Sequence, residues 1–271
     1  MDKPSLAPVR GFPLVGIGAS AGGLAAFEAF FSGMPEDIDP GMAFVLVQHL
    51  APDHKSLLTE LIGHCTRMPV FEVEDGMVVQ ANCVYIIPPN CNMALLQGAL
   101  HLFDPVAPRG QRLPIDFFFQ SLAADRQEQA IGIVLSGTGS DGTLGLRAIK
   151  ESGGMVMAQS LASCEYDGMP RSAIATGLVD YQLPPTDMPA RLIAYAAHAL
   201  TRLIGPGLPA TPRLESALKK VFIVLRTKTG HDFSQYKTSS MQRRILRRIA
   251  AVGAAIASGR DERIDLSLIH I

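Results

Sequence analysis

The sequence predicts a doubly wound α/β fold, a mainly parallel sheet with helices on both faces, followed by a small α-helical segment. Three observations predict it. Short runs that are apolar throughout alternate with stretches of helical apolar spacing, the pattern of parallel strands buried on both faces. The 271 residues are 48% hydrophobic and 18% charged, enough for a sizeable core and incompatible with wholesale disorder. The charge is split. Residues 1–212 hold 12 Lys/Arg and 20 Asp/Glu, a balance of −8, and residues 213–271 hold 12 and 5, a balance of +7.

In chain order, Phe12–Gly18 reads as a buried strand and Leu24–Phe31 as a helix. Met42–Val47 and Ser56–His64 repeat that pair, and Val84–Ile87 is a third strand. Met93–Phe103 predicts a hairpin turning at Gly98. Pro114–Asp125 is helical, Ala130–Leu135 is a strand, and Leu144–Ser152 is a helix. Met155–Ala158 and Leu178–Leu183 predict two further short strands before a closing helix, Pro189–Leu203.

The breakers from Gly205 to Pro212 mark a linker. Beyond it Leu214, Leu218, Val221, Phe222 and Leu225 form a one-sided helical stripe. A second helix, Met241–Ala250, sets Arg243, Arg244, Arg247 and Arg248 against Ile245, Leu246 and Ile249. The organisation expected is a domain over 12–203, a linker over 204–213, a helical segment over 214–253 and a doubtful tail over 254–271.

Some classes are excluded at once. No stretch of about 18 apolar residues is free of charge, so no membrane span is expected. The N-terminus has no apolar signal core, which predicts a cytoplasmic protein. Cys65, Cys83, Cys91 and Cys164 have no CxxC spacing and read as reduced thiols. His49, His54, His64 and Cys65 lie near one another in sequence, but there is neither an HExxH nor a paired CxxC, so no metal is expected.

Three constellations carry chemistry. Gly18-Ala19-Ser20-Ala21-Gly22 fits G-x-S-x-G between a strand and a helix. Small residues permit a sharp turn that lifts the serine hydroxyl, and the helix start offers N–H groups to an oxyanion. Gly16-Ile17-Gly18 also opens a dinucleotide pattern, but Ala21 stands where that pattern needs glycine, and strand two ends in Gln48-His49 without an acid for a ribose. A glycine-rich turn used only for packing is the third reading. His49, at a strand's carboxyl end, suits a general base. Ser136 to Thr143 follows a buried strand, and its Asp141 suits either orientation of the imidazole or a helix cap before Leu144. No Gly-Lys-Ser/Thr follows, which argues against a phosphate loop. Together, Ser20, His49 and Asp141 predict a Ser-His-Asp hydrolase, in a chain order different from the Ser, Asp, His of α/β-hydrolases. The backbone N–H groups of Ala21 and Thr138 are the oxyanion-hole candidates.

These motifs resemble the catalytic domain of the chemotaxis protein-glutamate methylesterases (CheB). The resemblance runs from about Phe12 to Leu200 and rests on GASAGG at Gly18–Gly23, VQHL at strand two, YIIPPN at Tyr85–Asn90, LSGTGSDGTLGL from Leu135 and YDGMPRSAI from Tyr166. It implies Ser20, His49 and Asp141 as the triad. It also implies hydrolysis of glutamate methyl esters on receptor helices, with glutamine deamidation in some members. Met169–Arg171 is a further hallmark of that family, expected to shape the cleft.

Stand-alone members carry an N-terminal phospho-receiver domain. About ten residues precede the first strand here, so control by phosphorylation in cis is not expected. Leu218–Ala250, with TGHDFSQYK and RRILRR, resembles the N-terminal helical domain of the receptor methyltransferases (CheR). That order implies a fused sensory protein. The cofactor-binding methyltransferase domain is not part of this sequence, so neither S-adenosylmethionine nor any other cofactor is expected. No aromatic residue interleaves with the arginines, which argues against nucleic acid and leaves docking to acidic receptor helices as the expectation for Arg243, Arg244, Arg247 and Arg248. A catalytically silent docking or scaffold module is the rival class. Leu266–Ile271 breaks the helical pattern and back-translates to a transposase adapter end, so an assembly artefact is expected at 266–271.

Overall fold

The computed structural model describes residues 11–35, 37–48, 57–105, 108 and 111–204, with side chains for all of these except 57 and 197–204. The chain divides into two units, Met1–Ala190 and Arg191–Ile271. The first holds two sheets. In the second, description ends within the helix that reaches Ile204. The expected linker, the helices over 214–253 and the tail lie outside the described residues.

The strands are β1 (Leu14–Ala19), β2 (Ala43–Gln48), β3 (Val70–Glu72), β4 (Met77–Val78), β5 (Val84–Ile86), β6 (Asn92–Leu96), β7 (Ala99–Phe103), β8 (Ala130–Val134), β9 (Met155–Gln159) and β10 (Tyr181–Leu183). The helices are α1 (Gly23–Ser32), α2 (Leu57–Cys65), α3 (Pro114–Arg126), α4 (Thr143–Glu151), α5 (Gly168–Ala175) and α6 (Met188–Ile204). The main sheet has the order β10-β9-β8-β1-β2-β5-β3, and every neighbouring pair is parallel. The predicted doubly wound sheet is therefore present.

The order matters for function. From β1 the chain winds outward through β2 on one side, then returns to lay β8 on the other. The carboxyl ends of β1 and β8 thus flank a topological switch point, where open α/β sheets bind ligands.

Alternation along β2 shows how the two faces are covered. Ala43, Val45 and Val47 join a core with Ile115, Phe118, Phe119 and Leu122 of α3 and Leu146 and Ile149 of α4. Phe44 points the other way, its ring edge-on to Phe30 and Phe31 of α1. All of these side chains are buried, and each large one contributes about 1.5–3 kcal/mol through burial.

The hairpin turns where the sequence predicts. Gln97 and Gly98 both have positive φ, 52° and 79°, as a two-residue turn matched to strand twist requires. It joins β6 to β7, and β4 adds to β7 to make a small antiparallel sheet, β4-β7-β6.

Three elements escape the sequence reading. β3 has three residues, all partly or fully exposed, and β4 has two. Neither is long enough to show a period. α5 begins at Gly168 and carries Pro170 in its first turn, so its sequence reads as breakers even though both residues suit a helix start.

Candidate active site

The site is built on loops that leave the carboxyl ends of β1, β8 and β9. Gly16 and Gly18 keep β1 thin on the α3 side. A Cβ on Gly18 would stand 2.3 Å from Ile115 Cγ2, and one on Gly16 would stand 2.8 Å from a Phe119 ring carbon. These glycines admit α3 against the strand, which accounts for Gly-Ile-Gly without a dinucleotide.

After Ala19 the chain turns sharply into α1. The Ser20 N–H donates to the Ser136 carbonyl at 3.0 Å, and the Gly23 N–H donates back to the Ser20 carbonyl at 2.9 Å. The turn needs Gly22 at φ 70°, and a Cβ there would also meet Ser136 Oγ at 2.7 Å. Ala19 pairs with Gln48 across β1 and β2, and the Gln48 side-chain amide lies 3.5 Å from the Ser20 carbonyl. Ser20 therefore leaves the sheet beside the end of β2. His49, the next residue after Gln48, lies outside the described residues.

Ser136 ties three loops together, a role the sequence reading did not assign. Its hydroxyl donates to the Ala21 carbonyl at 2.9 Å and accepts the Tyr166 N–H at 3.0 Å, while its own N–H donates to Gln159 Oε1 at 2.8 Å. The next residue, Gly137, is wedged in place. A Cβ on it would come within 2.2 Å of Met169 Sδ and 3.0 Å of Ser20 Cβ. Met169 is fully buried and its N–H donates to the Gly137 carbonyl at 2.9 Å. The first turn of α5 thus holds the Gly137 backbone against Ser20. Among the described residues, neither the Ala21 nor the Thr138 N–H donates to a protein acceptor.

Asp141 closes the same loop and is 4% exposed. It does not cap the helix that follows it. Gly142, at φ 88°, is the N-cap of α4. The carboxylate instead reaches across to α3: Oδ2 accepts the Ile115 N–H at 3.0 Å and Oδ1 accepts the Asp116 N–H at 2.9 Å. Oδ1 also takes the Gly142 N–H at 2.8 Å. The start of α3 has no cap of its own, because Leu113 occupies that position. Asp141 supplies the missing acceptor from a distant part of the chain.

Asp116, also 4% exposed, accepts the Gly145 N–H at 2.6 Å. Burial pushes its carboxyl above the ordinary value of 3.8, and the negative charge of Asp141 adds to that, against the opposing backbone N–H donors. The folded state therefore holds this proton more tightly than the unfolded chain. Stability from this group is greatest below the ordinary carboxylate value and falls as pH rises through the raised one. The melting temperature of the wild type relative to Asp116→Asn is expected to fall across that window. Thermal denaturation between pH 3.5 and 7 measures it, and a rising difference would mean that the helix termini outweigh burial.

Beside the serine loop lies a cleft of about 520 Å³. Thr138 and Gly139 form one wall, and residues from Cys164 to Gly168 form the other. Glu165 leans over the turn, its Oε2 at 2.9 Å from where a Gly22 Cβ would be. Asp167 pairs with Arg171 one turn along α5. The Cys164 thiol is pushed up to about 11 by burial, with Asp167 adding to the effect, so it is protonated at neutral pH.

The CheB methylesterase family model matches residues 15–192, about two thirds of the chain. The chain belongs to the CheB methylesterase family. A model described as the all-alpha domain of CheR methyltransferase matches residues 216–255, so the CheB-type domain is followed by CheR-type sequence.

The crystal structure of the Thermotoga maritima CheB methylesterase catalytic domain is similar, with a TM-score of 0.61 at 30% identity, covering 68% of this chain and 98% of that one. A protein-glutamate methylesterase/protein-glutamine glutaminase of Burkholderia orbicola is 37% identical over 72% of this chain and 57% of its own length. A 104.1 kDa protein from the hypE 3′ region of Rhodobacter capsulatus is 36% identical over 71% of this chain and 22% of its own length. The chain thus spans little more than half of the named methylesterase and about a fifth of the larger protein. No helix of the described residues is long and apolar enough to cross a membrane.

Proposed function

We propose that this chain is a cytoplasmic protein-glutamate methylesterase that hydrolyses glutamate methyl esters on chemoreceptor helices and deamidates glutamine at the same site. The observation that carries the reading is the switch point, where the Ser20 turn is bonded to the loop that ends in Asp141, beside the end of β2. The names of the curated relatives support both reactions.

In the proposed mechanism Ser20 Oγ attacks the ester carbonyl carbon while His49 takes the hydroxyl proton. Asp141 holds the imidazole in orientation and stabilises its charged form. The imidazole N–H donates to a carboxylate oxygen of Asp141. The Ala21 and Thr138 N–H groups receive the developing oxyanion. Collapse expels methanol with the proton returned by His49. A water, deprotonated by His49, then attacks the acyl group, releasing the glutamate carboxylate and restoring the serine. With glutamine, ammonia leaves in place of methanol. The cycle needs no metal or cofactor.

The test is methanol release from methylated receptor by the full chain. Turnover above receptor alone is expected. Binding without turnover would establish the silent docking module instead.

Arg243, Arg244, Arg247 and Arg248, outside the described residues, are proposed to dock acidic receptor helices. Charge reversal at Arg243, Arg244, Arg247 and Arg248 is expected to weaken receptor binding about tenfold or more at low salt while leaving hydrolysis of a small methyl ester unchanged. Equal loss of both would contradict a docking role.

A further inference from the structure

We propose that Asp116 is a positioning residue for the reaction, acting through Asp141. The inference rests on the triad reading above. α3 and α4 exchange caps. The α3 start is capped by Asp141, from the residue just before the α4 N-cap, at 3.0 and 2.9 Å. The α4 start is capped by Asp116, from the first turn of α3, at 2.6 Å. Neither helix has a side-chain cap of its own, since Leu113 and Gly142 occupy those positions.

The two exchanges close a ring. The Asp116 N–H holds the Asp141 carboxylate, the Asp116 carboxylate holds the Gly145 N–H, and Gly145 runs back through Gly142 to Asp141. Any shift of α4 relative to α3 therefore moves the carboxylate that orients the general base. Gly145 permits the approach. A Cβ there would lie 2.4 Å from Phe119 Cβ and 3.2 Å from the Asp116 Cα.

The ring does not require a negative charge on Asp116. It requires an acceptor of the right reach for the Gly145 N–H. An asparagine supplies one, and an alanine does not.

The experiment measures kcat and KM for a glutamate methyl ester peptide with the wild-type chain, Asp116→Ala, Asp116→Asn and Ser20→Ala, with the melting temperature of each. The loss expected for Asp116→Ala is about tenfold or more in kcat with KM within twofold, because a misplaced orienting group costs turnover and not binding. Asp116→Asn is expected to recover most of the loss. Asp116→Ala with wild-type kcat, or Asp116→Asn no better than Asp116→Ala, would overturn the proposal. Should Asp116→Ala fail to fold, Asp116→Glu carries the test. It keeps the carboxylate and changes its reach by one methylene, and undiminished kcat there would equally overturn the proposal. Ser20→Ala separates the two claims: if it stays active, the triad reading itself fails, and if it is inactive while Asp116→Ala turns over normally, only the positioning role fails.

Discussion

Ser20→Ala is expected to lower ester hydrolysis by about 10³-fold or more, equivalent to about 4 kcal/mol of transition-state stabilisation. The loss should fall on kcat, since the hydroxyl forms its bond to substrate only as the reaction proceeds. A residue of activity is expected from the Ala21 and Thr138 donors, which the substitution leaves in place. Stability should change little, within about 0.5 kcal/mol. The bonds that fix the turn come from the Ser20 backbone, to Ser136 and from Gly23, and alanine keeps them. Steady-state kinetics with a thermal melt separates this outcome from a general loss of fold.

Asp141→Ala should lose both activity and stability. Three backbone N–H groups, of Ile115, Asp116 and Gly142, converge on this buried carboxylate. Removing it strips the start of α3 of its cap and leaves buried donors without acceptors, at a cost of about 2–3 kcal/mol. Activity should fall by about 10³–10⁴-fold through the misoriented base. Asp141→Asn divides the two effects. Its carbonyl oxygen still accepts helix N–H groups, so it should recover much of the stability, yet the neutral amide cannot support a charged imidazole and activity should stay about 10³-fold down. Activity within tenfold of wild type in Asp141→Asn would reduce Asp141 to a structural cap.

The main sheet was legible because its central strands are buried on both faces. Met42–Val47 and Ala130–Leu135 read as unbroken apolar runs, and the helices between them show their apolar faces. The edge strands β3 and β4 were not legible, because two or three half-exposed residues carry no period. The loops that carry Ser20 and Asp141 were legible because runs of small residues follow buried apolar strands there. What could not be read was the long-range bonding that fixes those loops. Nothing local marks Ser136 as the tie between the β1, β8 and β9 loops, or Asp116 as the cap of a helix 29 residues away. A faint signal was present: Pro114 starts a helix that has no Ser, Thr, Asp or Asn before it, so its cap had to come from elsewhere. Likewise, the Asp141-Gly142 pair suggested a local cap, and the acid serves a different helix.

In the proposed mechanism Ser20, leaving the sheet between β8 and β2, is a nucleophile activated by His49. Covalent labelling of the full chain with a fluorophosphonate ester, followed by peptide mass mapping, tests this role. One adduct is expected, on the peptide that contains Ser20, formed rapidly by the wild type, at least about 10²-fold more slowly by His49→Ala, and not at all by Ser20→Ala. An adduct on another residue, or Ser20 labelling at an unchanged rate in His49→Ala, would contradict it.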